Sequence, residues 1–307
     1  MGTALPQTNS LKYNMDAQDH ASAIVRVPGS TSNIGPGFDC MGIALNVHNE
    51  VRLTRADTGQ ESPEHPMVRE TAERLFREVN ADPFPFTWSI TGEVPISRGL
   101  GSSVTLRQGI LQGLNHLLGA PLDRDGMFAL ATELEGHPDN ASAGVYGGFT
   151  CTNASGKCVR FVVDPKLKFL LLIPERELLT EASRQCLPDE LAHRDAVQSL
   201  GNACMITAAF AAQDYELLRD SMDDWLHQPY RQAGNAGLVE VLTAGTAAGA
   251  LGGFLSGSGS TMACVSTAEG VSLQRIAEAM RRAYSLIGEA RMIITEANNS
   301  GATTIVA

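Results

Sequence analysis

A glycine-rich turn that leads straight into an apolar helix constrains this chain more than any other feature. The turn lies in EVPISRGLGSSVTLRQGILQGLNHLLG, residues 93–119. After Val104 the apolar residues recur at helical spacing, so the turn is predicted to open a helix. Free N–H groups and the dipole at a helix start favour an anion, and Gly99 and Gly101 would let a phosphate approach the backbone. The segment therefore predicts a phosphate-binding turn, with ordinary helix capping as the alternative; it matches neither GxxxxGK[ST] nor GxGxxG.

A second stretch, VPGSTSNIGPGFDCMGIAL at residues 27–45, follows an extended apolar run with small polar residues and a tight turn. Glycine permits close backbone approach, proline fixes φ, and Asn and Asp tolerate strained turns while presenting polar groups. We expect this combination to build a rigid polar lip at the end of a strand.

A third stretch, ATELEGHPDNASAGVYGGFT, places Glu133, Glu135, His137, Asp139 and Asn140 directly after a predicted helix. Magnesium commonly uses one or two carboxylates together with phosphate oxygens, so this group could hold that cation and grip a polar substrate. The alternative is a solvated helix end. A fourth stretch, GALGGFLSGSGSTMACVS at residues 249–266, predicts either a hairpin turn or a second backbone wall against a ligand.

Composition narrows the kind of partner. The chain has 307 residues, 43% of them hydrophobic, which is enough for one large domain or two ordinary ones. Its formal net charge of -11 argues against a nucleic acid or an anionic membrane as partner and favours a small-molecule substrate. The six cysteines are scattered without metal-type pairing, and neither a signal segment nor a long apolar run is evident. We therefore expect a soluble, cytoplasmic protein with reduced thiols.

The chain divides into three parts. Residues 1–22 are polar and aperiodic, which predicts a disordered leader, with order beginning near Ala23. Periodicity then predicts strands at SAIVRVPG, FPFTWSITGEVP, KFLLLIP and RMIITEA, one or two strands in GIALNVHNEVRLTRAD, and helices at PMVRETAERLFREVN and VSLQRIAEAMRRAYSLIG. A composition shift near residues 164–166 predicts a boundary between a domain at 23–165 and a domain at 166–307.

Six segments together resemble the GHMP family of small-molecule kinases, and within it the branch that phosphorylates homoserine. The matching segments are VPGSTSNIGPGFDCMGIAL, PISRGLGSS, EGHPDN, LSGSGST, TEASRQCLP and LHQPYR. The resemblance implies an α+β, two-domain GHMP kinase fold, with an N-terminal ATP-loop domain and a C-terminal ferredoxin-like domain around a cleft. It also implies ATP and Mg²⁺ as cofactors, L-homoserine as the small-molecule substrate on the route to threonine, and compatibility with a homodimer.

Site residues follow from the same resemblance. The loop around the ATP phosphates would comprise Pro95, Ile96, Ser97, Arg98, Gly99, Leu100, Gly101, Ser102 and Ser103. Mg²⁺ would be held by Ser103 and Glu135, with Glu133 as the competing carboxylate. Planar guanidinium groups suit a carboxylate. The substrate residues would be Asn33, Asp39 for the ammonium, Arg184 and Arg231 for the carboxylate, and His137, Asp139, Thr180 and Gly259.

The expected mechanism has no side-chain base. Asn140 stands where some relatives, such as mevalonate kinase, place a catalytic Asp, and an amide cannot accept the proton. The resemblance therefore implies direct attack of the substrate hydroxyl on the γ-phosphate, with Asn140, Glu135 and Ser103 as the catalytic side chains.

Three departures from the family pattern leave alternatives open. Arg107 follows GLGSS where small residues are usual, and it could reach a phosphate, pair with an internal acid, point outward or impair nucleotide binding. Ser260 replaces a usual proline, and YRQAGNAGL lacks another. The alternatives are a GHMP kinase for another small amino acid or alcohol, and a non-catalytic ligand-binding relative.

Overall fold

The computed structural model describes residues 21–57, 62–178 and 183–305. Two antiparallel sheets and two groups of helices form the described part of the chain. None of the described helices combines the length and the apolar character that a membrane-spanning segment needs.

The first sheet has strand order β10-β1-β2-β4-β5, and β3 pairs with the far half of β2. Its strands are β1 (Ser22–Ser32), β2 (Met41–Arg55), β3 (Phe86–Gly92), β4 (Phe149–Thr152), β5 (Cys158–Phe161) and β10 (Thr303–Ile305). The associated helices are α1 (Pro66–Glu78), α2 (Ser102–Leu117), α3 (Arg124–Glu135) and α4 (Pro138–Tyr146). The glycine-rich turn does open a helix, α2, which packs on β1 and β2.

The second sheet has strand order β7-β8-β6-β9. Its strands are β6 (Lys168–Pro174), β7 (Gly252–Leu255), β8 (Met262–Ser266) and β9 (Ala290–Thr295), and its helices are α5 (His193–Ala212), α6 (Gln228–Arg231), α7 (Leu238–Ala247) and α8 (Gly270–Tyr284). Short 3₁₀ turns lie at Tyr215–Leu218 and Gln232–Gly234. A βαββαβ order with the first and third strands central is the ferredoxin-like arrangement, which confirms the predicted fold class.

The sequence of strand β6 is apolar without alternation, and the packing of its two faces explains this pattern. Phe169 and Leu171 pack in a core cluster that includes Phe149 of the first sheet. Leu170 packs in another cluster that includes Met280 of α8. Because both faces of the strand are buried, every position favours an apolar side chain. The first of these clusters joins the two sheets, so the cleft between them rests on a shared core.

Two observations bear on the predicted domain bounds, which stay a prediction. β1 begins at Ser22, one residue before Ala23. The predicted C-terminal domain, 166–307, holds the second sheet, but its last strand leaves it: β10 pairs with β1 through Ile24 and Ile305. A short terminal strand carries little periodicity, so its sheet is set by long-range pairing and not by local pattern.

Candidate active site

A polar cavity of about 140 Å³ lies between the two halves of the chain. It is lined where the end of β1, the start of α2, the start of α4 and the loop after β7 meet. The predicted site residues that line it are Asn33, Asp39, Ser97, Arg98, Gly99, Gly101, Ser102, Ser103, Glu135, His137, Asp139, Asn140, Arg184 and Arg231. A larger groove of about 880 Å³ runs between α1 and β3, but it contains none of the predicted site residues.

The glycine-rich turn is locked against the loop at residues 256–261. Ser256 Oγ donates to the Gly99 carbonyl at 2.7 Å, and the Thr261 N–H donates to the Arg98 carbonyl at 3.1 Å. A Cβ on Gly99, which has a left-handed φ of 74°, would lie 2.1 Å from the Ser256 carbonyl oxygen. Glycine at 99 is therefore required by contact between two protein loops, whereas the sequence prediction attributed it to the approach of a phosphate.

The first turn of α2 is open to a ligand. The residue before it, Gly101, is left-handed with φ 67°, and in the described residues no side chain caps the helix. Ser102 and Ser103 open the helix and line the cavity. Uncapped N–H groups and the helix dipole make such a turn suited to an anion.

Only part of the predicted ATP loop lines the cavity. Pro95, Ile96 and Leu100 do not line the cavity; Ile96 is exposed and Leu100 is buried in the core. Arg98 lines it, yet its Nε donates to the Pro174 carbonyl at 2.9 Å and its Nη1 donates to the Ile96 carbonyl at 2.9 Å. The guanidinium of Arg98 thus ties the turn to the end of β6.

Of the two candidate metal carboxylates, only Glu135 faces the cavity. It is the last residue of α3, and Ser103 Oγ donates to its Oε2 at 2.8 Å. Glu133 lies outside, where Arg74 Nε donates to its Oε1 at 2.8 Å. Burial raises the pKa of Glu135, opposed by the Ser103 hydrogen bond and the Arg107 charge. Within the described residues no group of three or more His, Cys, Asp or Glu is arranged to hold a metal.

Arg107 pairs with an internal acid, Glu135, which is one of the alternatives that the sequence left open, and also with the exposed Glu70. Its Nε lies 2.8 Å from Glu135 Oε1, and its Nη2 lies 2.8 Å from Glu70 Oε2. The Nε and Oε1 atoms are not aligned as a hydrogen bond, so their contact is a close ion pair.

The polar lip is built as the sequence predicts. Asn33 and Asp39 both have left-handed φ, 58° and 54°, which these residue types tolerate. Asn33 Oδ1 accepts from the Asp39 N–H at 2.9 Å, and Asn33 Nδ2 donates to the Gly257 carbonyl at 3.0 Å. Asn33 therefore fixes the turn that presents Asp39 and joins it to the loop after β7.

Two arginines stand beside the lip. Arg184 Nη1 and Nη2 donate to the two carboxylate oxygens of Asp39 at 3.0 and 2.6 Å. Arg231 is only 2% exposed, and its Nε and Nη1 donate to the carbonyls of Ser183 and Gly257. Burial, and secondly the Arg184 charge, lower the pKa of Arg231.

Phe38, which we did not select from the sequence, contacts two arginines of the site although it does not line the cavity. The Cζ atoms of Arg184 and Arg231 lie 5.3 and 5.1 Å from the centre of its ring. His227, which is fully buried, stacks on the same ring at 5.3 Å between ring centres. The signal in the sequence was an aromatic residue directly before Asp39 in a polar lip.

The start of α4 brings Asp139 and Asn140 to the end of β1. Ser30 Oγ donates to Asn140 Oδ1 at 2.8 Å, and Asn140 Nδ2 donates to Ser32 Oγ at 2.9 Å. Asp139 Oδ1 accepts from the Asn140 N–H at 2.8 Å. Burial raises the pKa of Asp139, and the negative charge of Asp39 raises it further.

Two predicted substrate residues are not brought to the cavity by the described structure. Thr180 lies outside the described residues. Gly259 does not line the cavity; its neighbours Gly257 and Ser258 do. A Cβ on Gly259 would lie 2.2 Å from Asn235 Oδ1, so glycine there serves packing against that amide.

Comparisons with known proteins agree with the predicted fold. The models of the GHMP kinases N terminal domain and of the GHMP kinases C terminal domain match residues 66–148 and 206–286. The homoserine kinase of Caldicellulosiruptor bescii is 35% identical over 294 residues, covering 91% of this chain and 95% of that protein. The homoserine kinase of Moorella thermoacetica is 37% identical over 253 residues, covering 78% of this chain and 86% of that protein.

Solved structures extend the comparison. The crystal structure of homoserine kinase from Cytophaga hutchinsonii superposes with a TM-score of 0.86 at 27% identity, covering 95% of this chain and 99% of that one. A crystal structure of mevalonate kinase, at 14% identity and a TM-score of 0.69, shares the fold. The chain therefore belongs to the GHMP kinase family, in the branch of the homoserine kinases.

Proposed function

We propose that this protein transfers the γ-phosphoryl group of ATP to the side-chain hydroxyl of L-homoserine, giving O-phospho-L-homoserine on the route to threonine. The observation that carries the proposal is one cavity with two unlike ends. One end holds a carboxylate and two guanidinium groups, from Asp39, Arg184 and Arg231. The other end is the uncapped start of α2 beside the Ser103–Glu135 pair.

The charged end suits an α-amino acid. Asp39 would accept from the ammonium group, and Arg184 would donate to the carboxylate in the bidentate geometry that it uses with Asp39. The Nε and Nη1 atoms of Arg231 are already bound to backbone carbonyls. Arg231 would therefore act on the substrate carboxylate mainly through its positive charge. The hydroxyl at the far end of the substrate would then point toward the start of α2.

The α2 end suits the phosphates. The N–H groups of its first turn would bind phosphate oxygens, and Ser103 and Glu135 offer the hard oxygen ligands that Mg²⁺ prefers. One carboxylate is enough where phosphate oxygens complete the coordination, so the residues present fit this cation. Bound Mg²⁺ would neutralise charge on the phosphate oxygens during transfer.

No side-chain base is needed in this arrangement. Both polar atoms of the Asn140 amide are engaged with the hydroxyls of Ser30 and Ser32. Asn140 would therefore hold α4 against β1. The substrate oxygen would form the new bond to phosphorus as the bond to ADP breaks, and its proton would leave to a phosphate oxygen or to water. Phosphoryl transfer depends mainly on positioning and charge stabilisation.

Two further properties belong to the proposal. All six cysteines are free thiols, which suits a protein of the reducing cytoplasm. A homodimer stays a prediction from the family resemblance, and sedimentation velocity would measure it.

The test is an ADP-release assay with Mg-ATP and L-homoserine, run beside L-threonine, L-serine and mevalonate. We expect turnover specific to homoserine, reduced at least about 100-fold in kcat/KM by Arg184→Gln, because a charged hydrogen bond to the substrate is lost. The exposed Arg282, which pairs with Glu278, offers a matched control, and Arg282→Gln should behave as the parent protein. Turnover with another compound in place of homoserine would make that compound the proposed substrate. If the folded protein turns over none of the four compounds, the proposal is rejected.

A further inference from the structure

We propose that Arg107 is a positioning residue that orients the Glu135 carboxylate for the metal-bound nucleotide. The inference rests on the proposed function, because it concerns the Mg²⁺ that accompanies ATP. It assigns a role to a charged residue of the glycine-rich segment that the proposed substrate and phosphate contacts do not use.

Arg107 joins three helices around one carboxylate. It lies on α2, one turn after Ser103. Its Nε is 2.8 Å from Oε1 of Glu135 at the end of α3. On the side of α1, its Nη2 is 2.8 Å from Glu70 Oε2 and its Nη1 donates to Thr71 Oγ1 at 3.3 Å. The guanidinium is therefore held in place from α1 while it contacts Glu135.

Arg107 forms two ion pairs, and solvent screens the pair with Glu135 less than the pair with Glu70. The side chains of Arg107 and Glu135 are 11% and 15% exposed, whereas that of Glu70 is 58% exposed. Charges shielded from water interact more strongly than exposed ones. Glu135 is thus fixed through both of its oxygens: Arg107 lies against Oε1, and the Ser103 hydroxyl donates to Oε2. The Ser103 side of the carboxylate is the side left for a cation.

A second arginine, on a neighbouring helix, forms an exposed ion pair that serves as a comparison. Arg74 of α1 binds Glu133, two residues before Glu135 on α3, at 2.8 Å. Glu133 is 56% exposed and does not line the cavity. The two pairs share their residue types and a closest distance of 2.8 Å. They differ in that Arg74 makes two hydrogen bonds to its partner, and in that only the partner of Arg107 faces the site. Groups that orient a metal ligand typically change metal affinity about 10- to 100-fold when they are removed.

The experiment measures metal binding directly. Mn²⁺ is titrated against the protein in the presence of a non-hydrolysable ATP analogue, and free Mn²⁺ is followed by its electron paramagnetic resonance signal. We expect Arg107→Met to raise the Kd of Mn²⁺ about 10- to 100-fold. Arg107→Lys should restore part of the affinity, and Arg74→Met should bind as the parent protein does. In the kinase assay of Arg107→Met, the Mg²⁺ concentration that gives half of the maximal rate should rise by a larger factor than kcat falls.

The outcomes separate this inference from the proposed function. Normal Mn²⁺ binding by the parent protein together with unchanged affinity in folded Arg107→Met would overturn the role of Arg107 alone. Failure of the parent protein to bind Mn²⁺ with the nucleotide analogue would overturn the proposed function, and this inference with it. If Arg107→Met does not fold, Arg107→Gln carries the same expectation, and parental affinity in that variant overturns the inference.

Discussion

Asp39 and Arg184, separated by 145 positions in the chain, form a bidentate salt bridge at one end of the cavity, with distances of 2.6 and 3.0 Å. These are the two residues that we assign to the ammonium and the carboxylate of the substrate. In this structure the two groups are therefore paired with each other. A ligand that carries both charges can replace this ion pair with two new ones, whereas a ligand with a single charge leaves one protein group unpaired.

The first prediction follows from this exchange. 4-Hydroxybutyrate lacks the ammonium group of homoserine, and 3-aminopropan-1-ol lacks the carboxylate. We expect each to bind at least about 100-fold more weakly than homoserine, because leaving a charged partner unsatisfied costs several kcal/mol. Isothermal titration calorimetry on the same protein measures all three affinities. Binding of either analogue within about tenfold of homoserine would contradict the exchange.

The second prediction compares two carboxylates on α3. Glu135→Gln keeps the size of the side chain but removes the charge that faces the cavity, so we expect kcat/KM to fall at least about 100-fold. Glu133→Gln removes a paired but exposed carboxylate, and its kcat/KM should stay within about twofold. Steady-state kinetics with saturating homoserine measure both variants. Equal losses in the two would place the metal ligand elsewhere.

The third prediction separates steric contact from backbone strain. Gly99 and Gly136 are both left-handed, with φ of 74° and 79°. A Cβ on Gly136 would meet nothing within 4 Å, whereas one on Gly99 would lie 2.1 Å from the Ser256 carbonyl oxygen. Gly136→Ala should cost about 1–2 kcal/mol of unfolding free energy from strain alone. Gly99→Ala should cost about 1–3 kcal/mol more from the clash.

Urea unfolding of the two glycine variants measures the difference. A larger loss in Gly136→Ala than in Gly99→Ala would show that the contact between the glycine-rich turn and the loop at residues 256–261 is not rigid. The kinase activity of Gly99→Ala should also fall, because the same turn leads into the first turn of α2.

The fourth prediction concerns pH and Asp139. Burial raises the pKa of this carboxyl above its ordinary value of 3.8. Above pH 3.8 the unfolded chain has lost the proton while the folded protein keeps it, so the stabilising contribution of Asp139 falls as pH rises through the folded pKa. Asn cannot titrate. We therefore expect the stability of Asp139→Asn relative to the parent protein to increase from acid toward neutral pH.

Urea unfolding at several pH values between 3.5 and 7 measures that difference in free energy. The Asp39→Asn background is a useful control, because the Asp39 charge is one of the causes of the shift, and there the change with pH should be smaller. A difference between variant and parent that is constant, or that shrinks toward neutral pH, would contradict a raised pKa.

Some elements were predictable because their cause is local. The apolar residues after Val104 recur every three to four positions, and α2 forms there. The uninterrupted run KFLLLIP predicted a strand, and β6 forms there with both faces buried. The turn with Asn33 and Asp39 followed from residue types that tolerate left-handed φ.

Other features were not predictable because they depend on distant partners. The sequence could not decide between the four alternatives for Arg107, since Glu70 and Glu135 reach it from two other helices. Nor could it show that the Arg98 guanidinium binds the carbonyl of Pro174 at the end of β6. The pairing of β10 with β1 was not predictable either, because a three-residue strand carries too little pattern to name its partner.

The sequence by itself determined the strands and helices with clear periodicity, the glycine-rich turn before α2, and the polar lip, because periodicity and the allowed φ of each residue act within a few positions. Only the tertiary structure decided that Glu135 and not Glu133 faces the cavity, that Asp39 pairs with Arg184, and that Arg107 contacts Glu135. Those relationships depend on how α2 and α3 pack against each other and on how the two halves of the chain meet, and no local pattern encodes the resulting distances.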